Sequence, residues 1–240
     1  MRDNITIIIQ GPLNTISLNN IEYYLKHGKV IVSHYACPQY VNQSDYKVLM
    51  EIQEKFMDVV SITVTNPPDL CPDYRLHQLL TTYNGLRVTD TEYVIKTRSD
   101  EKWVDLSPFV DKFYEDKEKL LTSNIFWKEQ EPYHISDHLM MSKTNYFYNG
   151  LDSFLKKYAS NNVAGGDISS NACESSFGRA FLMGKYNGEV KDSKNAFEED
   201  FECFDVNEIK DYHITYNGGP EKLKNKVYDK NNRWDESDDN

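Results

Sequence analysis

The chain has 240 residues, 39% of them hydrophobic and 27% charged, with a formal net charge of −11. That balance describes a globular protein of one large or two small domains and excludes disorder over most of the length. The acidic surplus excludes a nonspecific nucleic-acid binder, which needs a basic surface. A polyanionic ligand stays compatible where a metal or a few Arg and Lys side chains line its pocket.

Residues 5–9 form a β-branched run stopped by Gln10, Gly11 and Pro12. This predicts a buried central strand feeding a tight turn. Residues 14–26 predict a helix with Ile16, Leu18, Ile21, Tyr24 and Leu25 as its apolar stripe. A strand over 29–34, a helix over 45–56, a strand over 59–64 and a long helix over 73–88 follow. The next strand starts at Tyr93. Strand and helix thus alternate through the first hundred residues, which argues for a parallel sheet with helices on its faces. Neither GxGxxG nor GxxxxGK[ST] follows the first strand, so the usual nucleotide fingerprints are missing.

The second half is less regular. It reads as a helix over 107–119, a strand over 120–126, a strand over 132–142 and an aromatic helix over 146–158. A loop with paired glycines at 161–167, a helix over 170–183, an acidic stretch at 198–208 and a short final strand near Tyr212 complete it. The tail from 231 to 240 is polar and expected to be disordered. No repeat or low-complexity linker divides the chain, so one domain over 1–230 is expected.

Cys37, Cys71, Cys173 and Cys203 form no CxxC pair, so zinc spacing is absent and free thiols of a reducing compartment are expected. The sequence opens almost directly on a strand, which predicts no signal peptide. No apolar run reaches membrane-spanning length. Together these predict a soluble, cytoplasmic protein.

The stretch YVIKTRSDEKW, residues 93–103, carries the chemistry. An apolar run turns abruptly into Lys96, Thr97, Arg98, Ser99, Asp100 and Glu101. In open α/β sheets ligands bind beyond the carboxyl ends of the strands. Two adjacent carboxylates repel unless a divalent cation, shared with a phosphate, neutralises them. Asp100 and Glu101 are therefore expected metal ligands, for Mn2+ or Mg2+, with His213 as a further ligand. The plainer alternatives are a strand end running into a solvated loop and a structural histidine.

Glu174, in the first turn of a helix after a Gly-Gly loop, is placed to be a general base, or simply to complement the helix dipole. Asp137, in the group His134-x-x-Asp137-His138, is the expected acceptor of a substrate hydroxyl. No zinc site is expected there, because alternate strand residues face opposite ways. Arg75 and Gln78 sit about one turn apart on one helix face, suited to phosphate or base or to plain solvation.

These motifs occur in one order: ITIIIQGPL, a helix with R-x-x-Q, TEYVIKTRSDE, then PYHISDHLMMS. Over residues 5–145 they resemble the WavE-type family of polysaccharide-synthesis proteins. The resemblance implies a glycosyltransferase of the GT-A fold: an α/β domain, Rossmann-like, with a central mostly parallel sheet and helices on both faces. It implies a nucleotide-diphosphate sugar donor of UDP or GDP type, a glycan acceptor, and Mn2+ or Mg2+ held by a D-x-D-like segment. Here that segment is Arg98-Ser99-Asp100, with Arg at the first position and Asp100 as the main carboxylate. The stretch from Glu174 to Leu182 is similar to the E-D-x-x-L-x-x-R-L segment of inverting GT-A enzymes, with Ser175 at the second acidic position. The Asn-, Lys- and Tyr-rich composition also resembles glycosyltransferase domains of large algal viruses.

On this resemblance Gln10, Gly11 and Pro12 receive the nucleoside, and Arg75 and Gln78 contact phosphate or base. Lys96, Arg98 and Ser99 face the diphosphate or brace the carboxylates. Asp137 and Glu174 face the acceptor. A nucleotidyltransferase on a similar sheet and a non-catalytic nucleotide-sugar-binding module are the competing expectations.

Overall fold

The computed structural model describes residues 2–35, 43–65, 74–161 and 173–214. The expected alternation is present as β1 (Ile5–Gly11), α1 (Thr15–Tyr24), β2 (Lys29–Tyr35), α2 (Gln43–Phe56), β3 (Val60–Thr65), α3 (Tyr74–Arg87) and β4 (Tyr93–Arg98). Beyond it come β5 (Glu101–Trp103), α4 (Ser107–Glu115), β6 (Leu120–Ser123), β7 (Leu139–Lys143) and α5 (Thr144–Asn161). Then follow α6 (Cys173–Lys185), α7 (Ser193–Glu199), β8 (Phe201–Phe204) and β9 (Tyr212–Ile214).

Seven strands form one sheet in the order β3-β2-β1-β4-β7-β6-β8. All neighbours run parallel except β7, which is antiparallel to both β4 and β6. The short strands β5 and β9 pair as a separate antiparallel ribbon. This is the α/β class expected, with a mostly parallel sheet.

The apolar runs explain why both faces are covered. Side chains alternate along β1. Ile5, Ile7 and Ile9 join a core with Ile21 of α1, Ile52 of α2 and Phe109 of α4. Ile8 joins the opposite core with Leu79 of α3, Phe147 of α5 and Phe177 of α6. On that second face α5 and α6 cross backbone to backbone. A Cβ added at Gly184 would lie 1.7 Å from the Tyr146 carbonyl oxygen, and one at Gly150 would lie 1.8 Å from that of Ala180. No larger residue fits that crossing, which anchors the helix carrying Glu174.

The second half departs from the expected pattern. The strand expected over 120–126 ends at Ser123, and the one expected from 132 begins only at Leu139. Between them the chain is irregular, with left-handed backbone at Phe126 (φ 56°) and Tyr133 (φ 61°) that breaks the pleat. The strands β5 and β8 are three and four residues long, too short to show a period. The 161–167 loop beyond Asn161, the residues 73 and 170–172 expected as helix starts, the 231–240 tail, Cys37 and Cys71 lie outside the described residues. Among the described residues no helix is long and apolar enough to cross a membrane.

Candidate functional site

The parallel register sets Gln10 of β1 beside Arg98 of β4, so both strands end at one place. There Gly11 has φ +129°, and a Cβ on it would meet Ser99 Oγ at 2.6 Å. Only glycine suits that close, left-handed turn. The Ser99 amide donates to the Gln10 carbonyl at 2.8 Å, stitching the two turns together. Helix α1 braces them from its first turns. Asn14 caps the helix by accepting from the Ser17 amide at 2.9 Å. Ser17 Oγ in turn donates to the Ser99 carbonyl at 3.0 Å, and the Asn20 side-chain amide donates to the Glu101 carbonyl.

This scaffold holds a dense charge cluster. The Arg98 guanidinium makes a two-pronged contact with Asp100, Nε to Oδ1 and Nη2 to Oδ2, each at 3.1 Å. Its Nε also lies 3.4 Å from Glu101 Oε1, and its Nη1 lies 3.7 Å from Asp137 Oδ2. His138 bridges the last two: Nδ1 bonds Glu101 Oε1, and Nε2 stands 3.7 Å from Asp137 Oδ1. Lys96 is fully buried and donates to the Asp137 carbonyl oxygen. Its ammonium also sits 5.1 Å from the centre of the Phe177 ring. Phe126 stacks on the His138 ring with centroids 5.5 Å apart.

The environment drives the two predicted acceptor-facing acids apart. Burial would raise the Asp137 carboxyl, but Lys96, His138, Arg98 and a Gln78 hydrogen bond outweigh it and hold it at about 2. Glu174, at the start of α6, is pushed up to about 7 by burial and by the Asp137 charge, against its own backbone amide, His138 and Arg98. Burial also pulls Lys96 down, while Asp137 and Glu101 oppose that fall. The Cys173 thiol is raised by burial, then by Asp137 and Glu174.

Gln10, Gly11, Ser99, Arg98, Asp100, Glu101, Asp137, Gln78 and Glu174 are thus brought to one corner of the sheet. Several keep a buried polar atom without a hydrogen-bond partner among the described residues: Gln10 Oε1, Gln78 Oε1, Ser99 Oγ, Glu101 Oε2 and Asp137 Oδ1. Buried polar atoms are nearly always satisfied, and these lie around the carboxyl ends of β1 and β4, the side on which open α/β sheets take their ligands. Of the residues expected to face the diphosphate or brace the carboxylates, Lys96 is fully buried. Pro12 is exposed beside the turn, and Arg75 lies in the first turn of α3.

The corner does not include His213. It pairs with Lys102 across the ribbon of β5 and β9, and alternation puts both on the side opposite Glu101. His213 instead lines a separate open cavity of about 300 Å³ with Asn19, Tyr23, Lys55 and Lys102. Conversely, the sequence did not single out His138 as a partner of Glu101. Only the antiparallel register of β4 and β7, Thr97 against Leu139, brings residues 137 and 138 beside 99–101.

The carboxylates do not fit a resident divalent cation as arranged. Both Asp100 oxygens are engaged by Arg98, and Glu101 Oε1 is engaged by His138, which leaves Oε2 as its one open oxygen. Among the described residues no three His, Cys, Asp or Glu side chains are grouped to hold a metal ion. The Mn2+ or Mg2+ role expected for Asp100, Glu101 and His213 therefore enters no step below.

No family model matches the chain, and no curated protein does. Solved structures do. HddC from Yersinia pseudotuberculosis complexed with GMP-PN aligns at 11% identity, covering 95% of this chain and 98% of that one, with a TM-score of 0.47. TarS 1–349 from S. aureus aligns at 12% identity over 90% of this chain and 60% of that one, TM-score 0.47. The glycosyltransferase GlyE from Streptococcus pneumoniae TIGR4 aligns at 8% identity over 85% of this chain and 45% of its own, TM-score 0.45. These are distant likenesses, and the chemistry of the corner rests on its own residues.

Proposed function

We propose that the chain is a glycosyltransferase that moves a sugar from a nucleotide-diphosphate donor, of UDP or GDP type, to a hydroxyl of a glycan. One observation carries this reading: at the carboxyl end of β4 the Arg98 guanidinium gathers Asp100, Glu101 and Asp137 within 3.1, 3.4 and 3.7 Å, and burial and the Asp137 charge push the nearby Glu174 carboxyl up to about 7. A base is most effective when its pKa lies near the working pH. Two acids pushed to about 2 and about 7 divide the labour, since the first stays an anion and the second can take a proton.

In the proposed reaction the acceptor oxygen attacks the anomeric carbon and its proton passes to the Glu174 carboxylate. The bond from that carbon to the diphosphate oxygen breaks, and the electron pair leaves with the nucleoside diphosphate. Arg98 stabilises the charge that builds there. Asp137, held ionised, accepts a hydrogen bond from a second hydroxyl of the acceptor and orients it. Gln10 and Ser99, with unsatisfied buried atoms beside the Gly11 turn, meet the nucleoside and its phosphates. An in-line displacement of this kind inverts the anomeric centre.

The test is a panel of UDP- and GDP-sugars with glycan acceptors, following release of nucleoside diphosphate. The expected result is release dependent on acceptor, lowered by about 10²–10⁴-fold in Glu174→Gln with donor binding retained. Pyrophosphate released from a nucleoside triphosphate and a sugar phosphate would replace this reading with nucleotidyl transfer. Donor binding without any product would leave a non-catalytic binding module.

A further inference from the structure

We infer, on the transferase reading above, that Arg98 stands in place of a divalent cation and that the chain binds a nucleoside diphosphate without a metal. Three carboxylates from two separate segments converge on one guanidinium: Asp100 at 3.1 Å, Glu101 at 3.4 Å and Asp137 at 3.7 Å. That is where a cation shared between carboxylates and diphosphate would have to sit. Lys96 and His138 add further positive or hydrogen-bonding partners to Asp137 and Glu101 from below. Each of the three anions therefore already has a cationic or hydrogen-bonding partner beside it. A dication entering the same space would displace the Asp100 fork and stand against the guanidinium as a like charge.

The exposure pattern fits the same role. The Glu101 and Asp137 side chains are 0% and 2% exposed, whereas that of Arg98 is 28% exposed. Two of the anions are hidden, and the cation reaches the surface. The Asp100 fork uses two of the five guanidinium N–H groups in hydrogen bonds. Donors on Nη1 and Nη2 lie outside those two bonds, and a guanidinium matches phosphate oxygens in shape as well as charge.

Thermal shift and calorimetry with UDP and GDP, in EDTA and in Mn2+, test this, together with Mn2+ paramagnetic resonance on the free protein. The dissociation constant of the preferred nucleotide is expected to agree within about twofold in the two buffers. The unaltered protein is expected to leave Mn2+ unbound. Arg98→Gln, which takes the guanidinium away from the three carboxylates, is expected to lose about tenfold or more of the metal-free nucleotide affinity and to gain bound Mn2+. Nucleotide binding that needs Mn2+ and disappears in Asp100→Asn would overturn the inference and leave the transferase reading standing. No binding of either nucleotide or of their sugars in either buffer would overturn that reading, and the inference with it. Should Arg98→Gln fail to fold, the two-buffer comparison on the unaltered protein decides the matter alone.

Discussion

The four strands β1 to β4 and the irregular stretch 124–138 do different work. The strands hold an unbroken parallel register, and the buried apolar side chains of β1, β2 and β4 divide between two cores. The 124–138 stretch has two non-glycine residues at positive φ and isolated bridges in place of a strand, among them Lys128 to His134. Even so it is pinned, by a 2.6 Å contact between Ser123 Oγ and Ser136 Oγ and by the buried Trp127. It delivers Asp137 and His138 against the strand ends. The regular half provides a frame of low strain, and the irregular half spends backbone strain on aiming side chains. Strained backbone persists only where the surroundings over-determine it, and it gathers at functional sites.

If the aimed anions depend on the frame's cation, removing that cation is the most damaging change. Lys96→Met keeps the volume but withdraws the charge beside Asp137. It is expected to cost about 3–5 kcal/mol, the usual penalty for leaving one member of a buried charged group alone. Urea unfolding measures it, and a loss no larger than that of a surface substitution would mean the two regions are not coupled through Lys96.

A pH series sharpens the same contrast. Glu174 is raised from 4.5 to about 7, so the folded chain holds a proton there that the unfolded chain releases. Stability is expected to fall as pH rises from about 4.5 to 7, by on the order of 3 kcal/mol, and Glu174→Gln should flatten that slope. Asp137, lowered from 3.8 to about 2, acts the other way. Its contribution is present above its unfolded value and lost as pH falls from about 3.8 to 2. Urea midpoints across the range separate the two windows.

The smallest of these effects is purely steric. Gly184→Ala forces apart α5 and α6, whose backbones touch there. A loss of about 1–3 kcal/mol is expected. Because α6 carries Glu174, product formation should fall with it, while nucleotide binding at the β1 and β4 ends should hold.

The same contrast decides what could be read from residues alone. Apolar runs and helical spacing revealed β1 to β4 and α1 to α3, because each is long enough to show its period. Arg98 and Asp100 stood out as polar residues at the end of such an element, Glu174 in the first turn of a helix, and Asp137 in the group His134-x-x-Asp137-His138. What stayed hidden depends on pairing between distant segments. His138 meets Glu101 only through the register of β7 on β4, and nothing local to either residue encodes that register. The charge of Lys96 left two roles open, facing the diphosphate or bracing the carboxylates. Its place directly after Tyr93, Val94 and Ile95, inside the strand, was the sign that it would be buried. His213 drew attention as a metal-capable residue, but three residues of strand β9 carry too little pattern to show which way each one points.

The sheet order has a consequence for biosynthesis. By residue 98 the ribosome has delivered β3, β2, β1 and β4, a nearly complete parallel half. The outer edge of β4 then waits for β7, whose last residue is Lys143, some forty-five codons later. Through that interval a strand containing Val94 and Ile95 presents unpaired amides and carbonyls, the kind of template on which nascent chains join one another. Synthesis speed between those two points therefore bears on yield in a way that no contact in the finished fold records.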